Sequence, residues 1–448
     1  MTTPLETLTQ QLLEAARRAG ANNADALAVR GTSVSIDVLN GKLEHAERSE
    51  GVDIGLRVMI GQRQANVSAS DTSATTIATM AERAVAMAKE APEDPYIGLA
   101  DPAQLASGWD LDAFDMHDPA PEPDPATLED QARRAEAAAL AVKGISQVQS
   151  TSAGYGENRI HLATSNGFSG GYARTSNGLS LAAITGEGAT MERDWAGEGR
   201  IFQADMPSPE SIGTEAGERT VARAGAKQPP TGAFPVLFDE RIASSLIGHL
   251  LVASNGASIV RGSSWLREAL GEQVLPAHLS LIEDPHRARI SGSRPFDGEG
   301  LATRRRAIVE NGVLTGWTLD LGTGRNLGMD STANAARGTS SPPSPSVSNV
   351  ALTPGDATRD DLIAQMGTGL IVTSMIGSTV NPTTGDYSRG ASGFWVENGE
   401  ITYAVNECTI AGNLRDMLGR IIPANDAKAH HSRQVPSLLI EGMTLAGA

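Results

Sequence analysis

Cysteine is almost missing from this chain. Cys408 stands alone among 448 residues, so no disulfide can close within it, and a reducing compartment suits it. Aromatic residues make up 4%, too few for a core built on large rings, whereas 48 glycines point to tight turns and close backbone approaches. Positive charge is scarce as well. The formal charge of −17 disfavours a phosphate-backbone partner, so no nucleic acid is expected. The basic run "TRRRA" (303–307) reads as a solvated strand end. No stretch reaches the roughly 18 consecutive apolar residues that span a bilayer. The first twenty residues lack the basic start and apolar run of a signal peptide. A cytoplasmic chain without membrane contact is the expectation.

What is present suggests two cores, given 448 residues that are 40% hydrophobic. Leu5, Leu8, Leu12, Ala15 and Ala16 share one helical face, so a helix is predicted over 4–19 with Gly20 as its stop. Alternating segments broken at Asn40-Gly41, Gly51 and Gly61 predict a β-meander over residues 25–69, and Asp71 is a candidate cap for the helix after it. Residues 91–130 hold eleven Asp or Glu and no Lys or Arg, which reads as an extended surface connection. A helix near 127–143 leads into further strands. The tetrapeptide "TSNG" occurs at 164–167 and at 175–178, each a candidate hairpin turn because Asn-Gly accommodates positive φ. A helix at 208–225 closes this half.

The proline-bearing "AKQPPTGA" marks a boundary, dividing the chain into a domain at 1–225, a linker at 226–233 and a domain at 234–448. Beyond it, "FPVLF" reads as a strand and Asp239 as a helix cap. "VENG" at 309–312 and 396–399 predicts two tight hairpins, and "SSPPSPSVS" (340–348) a polyproline-like loop. The fold class is α+β: a helix-and-β-meander N-terminal domain plus a β-rich C-terminal domain.

Chemistry is hard to find by motif. None of the eight histidines belongs to a His-Glu-x-x-His pattern, and the adjacent pair His430-His431 reads as a solvated loop with rings pointing apart. "GTGRNLG" (322–328) is glycine-rich, but no helix pattern follows it, so it is not a phosphate cradle. No G-x-S-x-G elbow is present. Cys408 lies in a strand-like alternation and reads as a buried thiol rather than a nucleophile. Asp386 and Arg389 share a polar turn, either as ligand contacts or, the favoured reading, as a salt-bridged loop.

The stretches "LDLGTGRNLGMDSTANAARG", "TSMIGSTVNPTTGDYSRGASGFWVENGEIT" and "ECTIAGNLRDML" resemble the TldD/PmbA family in its TldE (PmbA) branch. The N-terminal "DVLNGKLEHAERSEGVDIGLRVMIGQRQANVSAS" resembles the same family, so the likeness covers nearly the whole chain. The resemblance implies a bacterial or archaeal zinc metallopeptidase of two related subunits. The TldD-type subunit carries a His-Glu-x-x-x-His motif and a distant cysteine ligand, and the TldE-type subunit is its partner. Matched on Arg261-Gly262-Ser263-Ser264, the two ligand histidines fall on Ile247 and Val252, the catalytic glutamate on Gly248, and the cysteine on Ala391. None of these side chains can bind zinc or activate water. His249 matches none of the positions and shares a face with Ile242, Leu246 and Leu250, so it reads as a packed histidine.

The implied molecule has no cofactor of its own. Zinc resides in a TldD-type subunit with which it forms a heterodimer, the substrate is unfolded peptide, and a homodimer is one option left open for the chain alone. Arg325 and Asn326 in a turn, Thr373 in "TSMIG", and Asn381 and Arg389 in "VNPTTGDYSRGAS" are the candidate peptide contacts. There, extended patterning meets polar, glycine-rich flanks. Two other readings stay open: an independent peptidase with an unrecognised site, and a non-proteolytic modulator or binding protein.

Overall fold

Helix α1 (Leu5–Ala19) forms on the predicted apolar stripe, and Gly20, at φ 100°, ends it by donating its N–H to the Ala16 and Arg17 carbonyls. These elements come from a computed structural model that describes residues 3–447. Helix α2 (Ala74–Glu90) is capped by Ser73, whose hydroxyl accepts from the Thr76 N–H. Asp71 sits just outside and accepts from Ser73, so it supports the cap rather than forming it.

Both helices pack on a six-stranded sheet of β1 (Asn23–Leu39), β2 (Lys42–Ile60), β3 (Arg63–Ala69), β4 (Ile145–Thr164), β5 (Ser169–Thr185) and β6 (Glu192–Arg200). The spatial order is β3-β2-β1-β4-β5-β6, and every neighbouring pair is antiparallel. Helices α3 (Pro125–Ala141) and α4 (Pro209–Ala222) cover Val34, Ile36, Val38, Leu179 and Leu181 farther along the strands.

Three expectations for this half are corrected. Gly51 is no turn; it lies inside β2, opposite Gly31 of β1. Of the two "TSNG" copies, the first makes the β4–β5 turn, with Gly167 at φ 111°, and the second is strand interior. Asn177 and Gly178 pair with β4 on one side and β6 on the other, and the Asn177 amide donates to the Ile201 carbonyl at 3.0 Å. Ladder bonds on both sides override the local turn preference. The acidic connection is not simply extended either: it holds a helical turn at Leu111–Phe114, and the Phe114 side chain is buried.

The second half is built around β7 (Gly232–Phe238), β8 (Gly369–Val380), β9 (Asp386–Glu397), β10 (Glu400–Asn413) and β11 (Leu438–Ala446). Their order is β10-β9-β8-β7-β11, with β8 and β7 parallel and the other pairs antiparallel. Thr409–Ala411 of β10 also pairs with Thr444–Ala446 of β11, so the sheet closes on itself. Helix α5 (Glu240–Ala253) packs Leu246 and Leu250 with Val236, Phe238, Val372 and Ile410 on one face. Leu237, Ile371, Val396 and Leu439 alternate to the other face and meet Leu362 and Ile363.

Both predicted Asn-Gly hairpins form: Asn311 and Gly312 have φ of 49° and 83°, and Asn398 and Gly399 have 54° and 78°. The stretch 322–328 is corrected from loop to helix. In α6 (Leu321–Leu327), Asp320 accepts from the Thr323 N–H at 2.8 Å, and Thr323 accepts in return from the Asp320 N–H at 3.2 Å. Gly328, at φ 66°, ends it. Arg325 and Asn326 therefore lie on a helix. The proline-rich 340–348 is loop apart from Ser344–Pro345, which pairs with Ala335–Ala336.

Among the buried contacts between the halves, two lie on the first sheet's β1 and β2. Asp25 of β1 binds Arg57 of β2 (Nε–Oδ2 2.7 Å) and also Arg337 from the second half. A side chain on Gly55 would strike the Thr339 carbonyl, with a Cβ only 2.2 Å from it. Among the described residues no helix is long and apolar enough to cross a membrane.

Candidate functional site

Helix α5 starts where Asp239 accepts from the Arg241 N–H at 3.3 Å, and the same carboxylate pairs with the Arg241 and Arg359 side chains. The helix stops at Ala253, and Asn255 caps the next helical turn by accepting from the Ala257 N–H at 2.9 Å. Ile247 is 0% exposed and Val252 is 62% exposed. Five residues along an α-helix turn a side chain roughly 140° away, so these positions face different surroundings. Ala391, on β9 between Met375 and Cys408, belongs to the same apolar cluster as Ile247. At Gly248 a Cβ would come 3.2 Å from the Arg433 guanidinium. Hydrocarbon and a cationic side chain occupy the neighbourhood that the resemblance assigns to zinc.

His249 is half-buried in this neighbourhood, its ring 5.8 Å from that of Tyr387 at 74°. Burial, then the Arg389 charge, lowers its pKa, so the imidazole is neutral at pH 7. Its Nε2 has no hydrogen-bond partner among the described residues. Burial pushes the Tyr387 phenol up to about 12, and the hydroxyl donates to the Met375 sulfur at 3.3 Å. The Cys408 thiol, pushed up to about 11 by burial, donates to the Ala391 carbonyl at 3.2 Å. A thiol reagent at pH 8 should label native Cys408 at least about a hundredfold slower than the urea-unfolded chain. Equal rates in a stopped-flow comparison would contradict this burial.

The candidate peptide contacts separate into two groups. Arg325 is a strut: its guanidinium donates to the carbonyls of Tyr96, Gly98 and Leu99 at 3.2, 3.1 and 2.7 Å, tying down the acidic connection. Asn381 shapes its own turn by accepting from the N–H groups of Thr383 and Thr384 at 2.9 and 3.2 Å. Asn326 lines a cavity of about 230 Å³ whose walls include Arg57, Asp320 and Glu299. Burial, and then Asp297, pushes the Glu299 carboxyl up to about 8. Asp386 bonds Thr384 and Asn413 (2.7 and 3.1 Å), which replaces the expected salt bridge with Arg389.

Thr373 and Arg389 are placed differently. The Thr373 hydroxyl and the Arg389 Nε are buried with no hydrogen-bond partner among the described residues. Strand β7 pairs with β8 only from Leu370 to Val372, and the Asp239 N–H bonds the Val372 carbonyl at 3.0 Å as the chain turns into α5. From Ser374 onward β8 is paired, among the described residues, with β9 alone. An open strand edge therefore begins at Thr373 beside α5, and Ile376 on it is 78% exposed.

Sequence reading missed a second feature. A trough of about 780 Å³ runs across the N-terminal sheet, lined by Gly31, Gly51, Gly154, Gly178, Tyr155 and Trp195. Glycine stands opposite glycine in the ladders: Gly31 with Gly51, Gly154 with Gly178, and Gly178 with Gly199. A Cβ at Gly51 would meet nothing within 4 Å, so no neighbouring element requires its absence. The signal was the glycine at mid-strand in successive strands, visible only once the register is known.

Known proteins resemble the chain along its whole length. Domain 1, the central domain and the C-terminal domain of the PmbA/TldA metallopeptidases match residues 24–88, 118–224 and 231–447. The Metalloprotease PmbA of Escherichia coli O157:H7 is 35% identical over 427 residues, 95% of this chain and 92% of its own. A Bacteroides thetaiotaomicron protein proposed as a modulator of DNA gyrase superposes with a TM-score of 0.91 at 27% identity, over 99% of each chain. TldE from Thermococcus kodakarensis has a TM-score of 0.85 at 19% identity, over 98% of this chain and 100% of its own, a likeness of fold.

Proposed function

This chain belongs to the TldD/PmbA metallopeptidase family, and we propose that within it the chain is a subunit without hydrolytic chemistry of its own. It pairs with a TldD-type subunit that carries the zinc, and it lends wall and strand edge to a path for unfolded peptides. The observation carrying the first half is the apolar filling around Ile247 and Ala391. These residues do not fit zinc: isoleucine, valine, alanine and glycine offer no side-chain lone pairs, and a zinc hydrolase needs about three protein ligands and an open position for water.

The second half rests on the edge of β8 and on the glycine trough. An extended peptide added to an open edge gains main-chain hydrogen bonds with little demand on its sequence. Glycine in a strand permits close backbone approach. Thr373 and Arg389 supply unpaired polar atoms beside that edge.

Reconstitution tests this reading. The pure chain should show no chelator-sensitive peptide cleavage, and adding a TldD-type subunit should produce it. Thr373→Val with Arg389→Ala should lower cleavage by the pair about tenfold, the worth of a charged hydrogen bond, with assembly intact by gel filtration. Chelator-sensitive cleavage by the chain alone would overturn the proposal and favour an independent peptidase. Loss of assembly in the double variant would move both residues to the subunit interface.

A further inference from the structure

Glu198, His430 and His431 come from opposite halves of the molecule, and the geometry points to a divalent transition-metal site that staples those halves together. Glu198 lies on β6 of the N-terminal sheet, while the two histidines follow the short strand Ile422–Pro423 in the second half. One ligand atom from each of the three lies within 4.8 Å of the others, the one such grouping found among the described residues. The rings do not point apart, as neighbours in a solvated loop would. They stand edge to face, centroids 4.5 Å apart at 80°, and all three side chains are partly buried.

His430 Nε2 lies 3.2 Å from the Glu198 carboxylate, yet it is buried and makes no hydrogen bond among the described residues. A cation between the two would give the imidazole nitrogen the partner it lacks. Burial favours the uncharged form of each imidazole, the form that can bind a metal. Glu240, the first residue of α5, lies 3.5 Å from His431 Nδ1, so a second carboxylate backs the same site. Arg200 and Lys428 hold Glu198 and Glu240 at 2.5 and 3.5 Å and would compete with the ion.

Two imidazoles and one carboxylate suit zinc, nickel, cobalt or copper rather than magnesium or calcium. The site is separate from Ile247, Gly248 and Val252 and does not depend on the function proposed above. Its role is structural: one ion would bridge the N-terminal sheet and the His430-His431 segment of the second half.

The test uses full-length protein without a histidine tag, stripped by chelator and titrated with zinc or nickel chloride by calorimetry and in thermal unfolding. One saturable site per chain and a raised unfolding midpoint are expected. His430→Ala with His431→Ala should weaken binding by at least about a hundredfold. The isosteric Glu198→Gln, which should still fold, should weaken it about tenfold or more and abolish the midpoint shift. Exposed His278→Ala serves as the control and should change nothing. No saturable binding at millimolar metal, undiminished affinity in Glu198→Gln, or binding without stabilisation would each overturn the staple.

Discussion

Replacing Asp25 with alanine should lower the stability of the chain by about 3–5 kcal/mol, the scale for removing one partner of a buried ion pair. Asp25 is 1% exposed and serves two guanidinium groups, Arg57 within its own sheet and Arg337 from the other half. The Nε and Nη2 atoms of Arg337 are buried without any other partner among the described residues, so its charge relies on this one carboxylate. Alanine would leave two buried guanidinium groups without the carboxylate they share. Replacing Asp25, Arg57 and Arg337 together with apolar side chains of similar volume should cost far less, because no charge is stranded. Urea unfolding of the single and triple variants measures the difference, and a loss below about 1 kcal/mol for Asp25→Ala would refute the triad's importance.

The same carboxylate sets an acid limit. Burial alone would raise its pKa, but Arg337 and Arg57 outweigh burial and hold it below the usual 3.8. A depressed folded-state value means the stabilisation is complete above the unfolded pKa of about 3.9 and fades as pH falls through the folded value. Asp25→Asn should lack this component of the acid dependence.

Gly393→Ala is the second large effect, a loss of about 3 kcal/mol, the upper end for overpacking. A Cβ at this position would lie 1.8 Å from the Ile371 carbonyl oxygen and 2.9 Å from its carbon. The ladder between β8 and β9 slips at Val372/Ser374, so Thr373 is an extra residue on β8 there. Backbone, not a flexible side chain, is what would have to move. Gly51→Ala, where a Cβ meets nothing within 4 Å, should change stability by no more than about 0.5 kcal/mol. Thermal unfolding of the two variants side by side checks the contrast, and similar midpoints would refute it. Because the bulge adjoins the open edge of β8, Gly393→Ala should also impair cleavage by the reconstituted pair if it still assembles.

Where one local interaction decides a conformation, the sequence could be read. Asn311-Gly312 and Asn398-Gly399 demand positive φ, and the apolar stripe of α1 needs only a surface to cover. Where distant partners decide, it could not. "TSNG" turns at 164–167 and runs straight at 175–178, because β4 and β6 flank the second copy. "GTGRNLG" is helical because Asp320, just outside it, exchanges bonds with Thr323. The candidate site divides in the same way. Family resemblance supplied Ile247, Gly248, Val252 and Ala391 as the positions to inspect, but the duties of Arg325 and Asn381 as a strut and a turn-former follow from partners that no spacing reveals. Glu198 and the histidine pair are more than two hundred residues apart in the chain, and only the fold brings them together.

The place of β7 in its sheet has a consequence for biosynthesis. This strand is flanked by β8 and β11, whose first residues are Gly369 and Leu438, while β7 itself is complete at Phe238. On the ribosome, β7 emerges long before either neighbour exists. Val236, Leu237 and Phe238, all fully buried in the finished fold, then wait with both edges bare. The N-terminal sheet can assemble during that interval, largely from hairpins already made. The second half cannot close until β11 has been translated, which makes it the slower and more aggregation-prone part, and the part on which a nascent-chain chaperone would act.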